Sequence, residues 1–354
     1  MARDLSDEEV TLCTGIFPAA RWSGGQMTEQ GSAYRVAISA PVQPGSPASE
    51  QAGRAVIRFG RRPDSAAALE RMGRLHPALA RGLAGTGVRI PEPLGTVHQT
   101  GLGPAMAFSF IDGRDHPPAR GNPGEFARGG DDLGVMTKAL ADVLEALQQV
   151  PIETVEADLA PPFSYRGQWT TAKTATVLEF IGEQAPELMA ATSLLLRTLI
   201  NHPLGFDSKL GLVHGDLAGQ NMVWNEELSA VTGVLDWDLA SRWDPAINLM
   251  HLSLWHGEQI LEPVVASLQE RGLLEAEGIE SPSMYVARAR FWSGVWAAEN
   301  LWHAADRQRQ AALGIAGFTT IKPGALRRLF TKLGPRLSAG SEAVERIWEA
   351  GLLL

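Results

Sequence analysis

The chain has 354 residues, enough for two domains or lobes around a sizeable core. Its 45% apolar and 20% charged content excludes wholesale disorder, no apolar run reaches the length of a membrane span, the acidic start MARDLSDEEV lacks a signal-peptide pattern, and the lone Cys13 excludes an internal disulfide or a cysteine-based metal site. The net charge of −9 is uneven: residues 1–111 carry 11 basic and 9 acidic side chains and residues 112–354 carry 20 and 31, so a cytoplasmic protein with no nucleic-acid or membrane partner is expected, its acidic part suited to a neutral or cationic small molecule or simply to solubility.

Residues 15–111 read as short strands punctuated by turns. Gly15–Trp22 offers a first strand despite Pro18, and Ala33–Ser39 and Ala55–Phe59 form a strand pair joined by a Pro/Gly/Ser-rich loop. Pro63-Asp64-Ser65 opens a helix with Leu69, Met72, Leu75 and Leu79 at helical spacing. PEPLGTVHQ and PAMAFSFI then read as two strands turning at Thr100-Gly101. Gly113–Gly130 is a glycine- and proline-rich loop, after which the period switches to 3.6. Helices are expected over Leu133–Gln149, Thr171–Ile181, Glu187–Ile200, Glu258–Arg271, Met284–Arg309 and Pro323–Leu333, interrupted by one β-rich island, Gly211–Leu239.

The island carries the chemistry. His214-Gly215-Asp216-Leu217, with Asn221 five residues beyond Asp216, fits the H-x-D-L-x-x-x-N catalytic-loop pattern, with glycine where protein kinases carry arginine. An aspartate in such a loop can accept a hydroxyl proton, and an asparagine oxygen a turn away can ligand magnesium. Two apolar strands turning at Asn225-Glu226-Glu227 can return Asp236, fifteen residues after Asn221, to its side as a second hard ligand. Asp238 is as well explained by hydrogen bonding nearby, and His214 by holding the loop.

The block from GLVHGDLAGQNMVWN through VLDWDLASRWDPAINL resembles the aminoglycoside phosphotransferase family, the broad group of kinase-like small-molecule kinases, and the lobe order extends the resemblance over residues 15–335. It implies an α+β, two-lobed protein-kinase-like fold: a small β-rich N-lobe, 1–111, that binds nucleotide, and a larger, mainly α C-lobe, 112–354. It further implies Asp216 as catalytic base, Asn221 and Asp236 as metal ligands, and Asp244-Pro245 as the start of the next helix. Gly24-Gly25, ahead of the strand pair, resembles the nucleotide loop. No lysine precedes Lys138, so the cation on the third strand that reaches the phosphates becomes Arg58, with Glu70 of the following helix as its partner. MAFSFIDG resembles the hinge, where main-chain groups of Phe110 and Ile111 would meet the base.

The activity implied is ATP-dependent transfer of the γ-phosphoryl group, with Mg2+, to a hydroxyl of a small molecule: an aminoglycoside-like or macrolide-like antibiotic, or a metabolite alcohol. GTP could stand in place of ATP. The alternative is a catalytically silent, kinase-like nucleotide-binding protein. Trp237, Asp238 and Glu299, among tryptophans of the second lobe, are candidate acceptor contacts, though indoles at helical spacing are more often core packing.

Overall fold

The computed structural model describes residues 2–29, 33–41, 53–114, 130–162, 168–206, 210–276, 281–315 and 318–350. The chain runs through β1 (Ala2–Asp4), α1 (Asp7–Ile16), β2 (Gln26–Thr28), β3 (Tyr34–Ile38), β4 (Ala55–Gly60), α2 (Ser65–Gly82), β5 (His98–Thr100), β6 (Gly103–Ser109), α3 (Gly130–Gln148), α4 (Thr171–Gln184), α5 (Met189–Asn201) and β7 (Gly211–Val213). It continues through β8 (Met222–Trp224), β9 (Val231–Val234), β10 (Ser241–Trp243), α6 (Ala246–His256), α7 (Leu261–Glu270), α8 (Leu273–Ala276), α9 (Pro282–Ala312) and α10 (Pro323–Glu349). Two compact units result. The first holds Met1–His116, Gln149–Leu159 and Gln220–Asp238; the second holds Pro117–Gln148, Ala160–Gly219 and Leu239–Leu354. Asn221, Asp236 and Asp238 therefore belong to the same unit as Arg58, and Asp216 to the other.

In the first unit the strands form an antiparallel sheet of order β1-β2-β3-β4-β6-β5. Alternation along β4 buries Ala55, Ile57 and Phe59 in a core with Trp22, Met27, Ala37, Ala105 and Ala107, covered by α1 through Cys13. Arg58 faces the other side, beside its register partner Met106 on β6. A Cβ on Gly73 of α2 would lie 3.4 Å from the Met106 side chain, so α2 covers the face that carries Arg58. The β8–β9 hairpin pairs Met222 with Val234, and the Leu235 amide donates to the Asn221 carbonyl at 2.8 Å, bringing the start of the hairpin beside its end.

Two sequence expectations for this unit change. Gly15–Trp22 is not a strand: Ser6 starts a helix, accepting from the Glu9 amide while Glu9 accepts from the Ser6 amide, and α1 reaches Ile16 before the turn at Pro18. Of PEPLGTVHQ only its end joins β5; its prolines lack the amide a ladder needs, and Pro93 makes only an isolated bridge to Phe108. Residues 42–52 and 115–129, where loops are expected from the sequence, lie outside the described residues.

Among its described residues the second unit is helical apart from the antiparallel pair β7–β10. Its 31-residue α9 packs on α10, where Gly294 and Gly340 meet so closely that a Cβ on Gly294 would lie 3.1 Å from the Gly340 Cα. The helix expected over 323–333 runs on through Pro335 to Glu349, because Leu333, Leu337, Val344 and Ile347 continue its buried stripe. Among the described residues no helix is long and apolar enough to cross a membrane.

Candidate active site

Arg58 is the centre of a charged cluster in the first unit. Its Nη2 donates to Asp236 Oδ1 at 2.6 Å and its Nη1 to Asp238 Oδ1 at 3.3 Å, while the guanidinium carbon stands 3.8 Å above the Tyr34 ring. The Tyr34 hydroxyl donates to Asp238 Oδ2, and Arg71 of α2 donates to the Asp238 carbonyl at 2.7 Å. Burial opposes the Arg58 charge, but Asp236 and then Asp238 outweigh it and push its pKa above the ordinary range. Burial, reinforced by the Asp238 charge, likewise raises the Tyr34 hydroxyl. Asp238 is raised mainly by its burial, with Arg58 pulling against it. The two aspartates differ in access: the Asp236 side chain is 42% exposed and that of Asp238 14%.

Asp236 is held with φ of +64°, in the left-handed region where aspartate is one of the few side-chain residues tolerated. Backbone strain of this kind persists where the surroundings fix it, here by the Arg58 bond and the hairpin. Asp236 and Asn221 offer hard oxygen ligands, the donor chemistry magnesium takes when phosphates and water complete its shell.

In the second unit, the loop after β7 presents Asp216. Its amide donates to His214 Nδ1 at 3.2 Å, and its carbonyl accepts from the Ala218 amide at 2.8 Å. Gly215 has φ of +85°, and a Cβ there would sit 2.5 Å from the Leu239 carbonyl oxygen, so glycine is required on both counts. Helix α6 grips the strand feeding this loop: Asn248 Oδ1 accepts from the His214 amide and its Nδ2 donates to the Leu212 carbonyl, both at 3.0 Å. His251, on the same helix, brings Nδ1 to 3.7 Å from Asp216 Oδ1. Beneath, the fully buried Asp244 is held by Arg288 and by the Trp292 indole at 2.9 Å, and it caps the start of α6 through the Ala246 amide.

Several residues named from sequence stand differently. Glu70 is exposed on α2 and makes no hydrogen bond or ion pair among the described residues; the carboxylates that hold Arg58 are Asp236 and Asp238, because α2 turns Leu69 and Met72 inward and Glu70 outward. Gly24 and Gly25 form a turn before β2, with the Gly25 amide on the Trp22 carbonyl and its carbonyl taken by the Leu5 amide. They lie at the Ile38 end of the β2–β3 pair, and residues 30–32, which join those strands at the Tyr34 end, lie outside the described residues. At the end of β6 the Phe110 amide donates to the Arg54 carbonyl, while the Phe110 carbonyl and both main-chain groups of Ile111 make no hydrogen bond among the described residues.

Trp237 is core, 1% exposed with its indole on the Val234 carbonyl, and cannot line an acceptor site; Asp238 is taken up by Arg58 and Tyr34. Glu299 is buried within α9. Tyr34, Arg71, Asn248 and His251 were missed by sequence reasoning. For Asn248 and His251 the signal was their spacing of three on a helix that the Asp244-Pro245 start announced.

A six-stranded sheet whose arginine is paired to a post-hairpin aspartate, with an H-G-D loop carried on a helical unit, defines a kinase-like phosphotransferase fold. Residues 48–285 match the family model described as the phosphotransferase enzyme family, and the chain belongs to that family. Among solved structures, the GDP and kanamycin complex of APH(2″)-IIia aligns over 94% of this chain and 98% of its own at 16% identity with a TM-score of 0.60. Macrolide 2′-phosphotransferase MphH from Brachybacterium faecium aligns over 96% and 98% at 19% identity with a TM-score of 0.57. At these identities the likeness is one of fold. Viomycin phosphotransferase from Streptomyces vinaceus is 39% identical over 57 residues, a match spanning 16% of this chain and 20% of that protein.

Proposed function

We propose that this phosphotransferase-family enzyme is a small-molecule kinase that moves the γ-phosphoryl group of a nucleoside triphosphate, ATP or GTP, to an acceptor hydroxyl. The observation that carries the reading is the pairing of buried Arg58 with half-open Asp236, a phosphate-binding cation and a metal-competent carboxylate in contact within one unit. Asn221 enters the same hairpin, and Asp216 precedes it by five residues.

In this reading Arg58 neutralises phosphate charge, and the Phe110 carbonyl with the Ile111 main chain supplies the polar edge for the base. Asn221 and Asp236 would hold magnesium, whose bound charge screens the triphosphate. Asp216 orients the acceptor oxygen and takes its proton, and no covalent phosphoenzyme forms. The acceptor is an alcohol of the aminoglycoside-like, macrolide-like or metabolite class, which the chain's relatives support only as a starting set.

The test is nucleotide consumption with viomycin, kanamycin, a macrolide, choline and homoserine as acceptors, in wild type and Asp216→Ala. Turnover should fall in the variant by about 10²–10⁴-fold, the range of a general base, with nucleotide affinity by calorimetry unchanged within about twofold. Equal turnover in the two proteins refutes the role of Asp216; nucleotide binding with no acceptor turned over by either favours the silent reading.

A further inference from the structure

We infer that His251 is a positioning residue for Asp216, an inference that rests on the reading of Asp216 as the general base. One face of α6 meets the catalytic loop position by position. Asn248 holds the backbone on either side of Val213, His251 three residues on reaches the Asp216 carboxylate, and Trp255 four residues further packs so tightly on Gly219 that a Cβ there would lie 2.0 Å from the indole. The spacing of three and four keeps all three side chains on one stripe. A helix that only supported the loop would need no ionisable group at its middle contact; this one presents a ring nitrogen.

The geometry fits that task. The His251 side chain is 12% exposed, so the imidazole is confined, whereas the Asp216 side chain is 36% exposed and has an open approach. The separation of 3.7 Å is an ion-pair distance and longer than a hydrogen bond, and catalytic hydrogen bonds are commonly long before substrate binds and tighten afterwards. The contact is through Nδ1 and falls on Oδ1. Fixing Oδ1 sets the rotation of the carboxylate, and hence the direction in which Oδ2 accepts the hydroxyl proton. That proton passes to Asp216 as the acceptor oxygen bonds to the γ-phosphorus and the bond from that phosphorus to the bridging oxygen breaks, releasing nucleoside diphosphate. His251 touches neither reacting atom; it acts through Asp216.

Because Nδ1 makes the contact, the side-chain amide of asparagine can take its place, whereas alanine cannot. We expect His251→Ala to lower kcat for phosphate release from MgATP, with water as the acceptor, by about tenfold to a hundredfold, as for a hydrogen bond to a charged group. The nucleotide KM should stay within about twofold, and His251→Asn should recover to within about threefold of wild type. A kcat for His251→Ala within twofold of wild type, or an asparagine variant as impaired as the alanine one, overturns the inference.

Asp216→Ala is measured in parallel. If it too leaves phosphate release unchanged, what has failed is the reading of Asp216. The contact itself is then read without turnover, from the ring-nitrogen NMR signals of labelled histidine, with His251 assigned by its loss in His251→Asn. Asp216→Asn should shift the His251 signals in the folded protein, and unmoved signals overturn the inference.

Discussion

Replacing Arg58 with methionine keeps a long stem and removes the charge, and its cost follows from the unequal exposure of the two carboxylates left behind. Asp236 is 42% exposed and can recover water, whereas Asp238, at 14%, is left with the Tyr34 hydroxyl on its carboxylate and the Arg71 bond on its carbonyl. Stripping one partner from a wholly buried pair costs about 3–5 kcal/mol; with one carboxylate half open, about 2.5 kcal/mol is expected here. Asp238→Asn keeps an acceptor for Tyr34 and loses only the long contacts to Arg58, at 3.3 and 3.4 Å, so about 1 kcal/mol is expected. In the double variant the stranded charge is gone, and the total should be about 2 kcal/mol instead of the additive figure of about 3.5. Two compact units need not unfold together, so the measurement is native-state hydrogen exchange at the β4 amides, which report the first unit directly. Additivity within about 0.5 kcal/mol would refute the argument that Arg58 serves as the counter-ion of Asp238.

Gly215→Ala and Gly85→Ala make a matched pair, with φ of +85° and +86°, but an alanine Cβ would meet the Leu239 carbonyl at 2.5 Å in the first and nothing within 4 Å in the second. Both should lose about 1–2 kcal/mol to the left-handed backbone, while only Gly215→Ala should also lower turnover, by about tenfold or more, on displacing the loop; equal turnover in the two variants would mean the loop yields without consequence for Asp216. Acid should loosen the N-terminal helix through Glu9, whose hydrogen bond to Arg3 chiefly holds its pKa down from 4.5 to about 2 against the effect of burial. The folded value lies below the unfolded one, so this stabilisation is full above the unfolded pKa and is lost as pH falls towards about 2. Hydrogen exchange along α1 between these limits should be less pH-dependent in Glu9→Gln than in wild type.

The legible part of the site was the part written locally. Asp216, Asn221 and Asp236 could be named as candidates because they stand at short spacings within one motif, and the hairpin between Asn221 and Asp236 is encoded by two apolar runs and a polar turn. Arg58 could be named as a candidate because the resemblance asks for a cation on that strand and no lysine is present before residue 138; the structure sets it against Asp236 and Asp238. The missed helix α1 was also locally encoded: Ser6 and Glu9 stand at capping-box spacing, and the acidic start that argued against a signal peptide was equally a helix N-terminus. Helix α6 had its start marked by Asp244-Pro245 but no amphipathic period to mark its course, because nearly all of its first half is buried.

Partner choice is what a linear reading could not supply. Glu70 lies 12 residues from Arg58 and was the natural carboxylate on helix-after-strand logic, yet the partners chosen lie 178 and 180 residues away. Two local facts decide it, and neither is visible until the backbone is placed. Helix α2 buries Leu69, Met72 and Leu75 against the sheet, which turns Glu70 to solvent and leaves Arg71 pointing at the carbonyl of Asp238. The hairpin, meanwhile, delivers two aspartates, one on either side of a buried tryptophan: Trp237 anchors inward on the Val234 carbonyl, and Asp236 and Asp238 are thereby both turned towards the one guanidinium. Trp237, read from sequence as an acceptor contact, thus acts from the core, and its packing is what sets the aim of the carboxylates on either side of it.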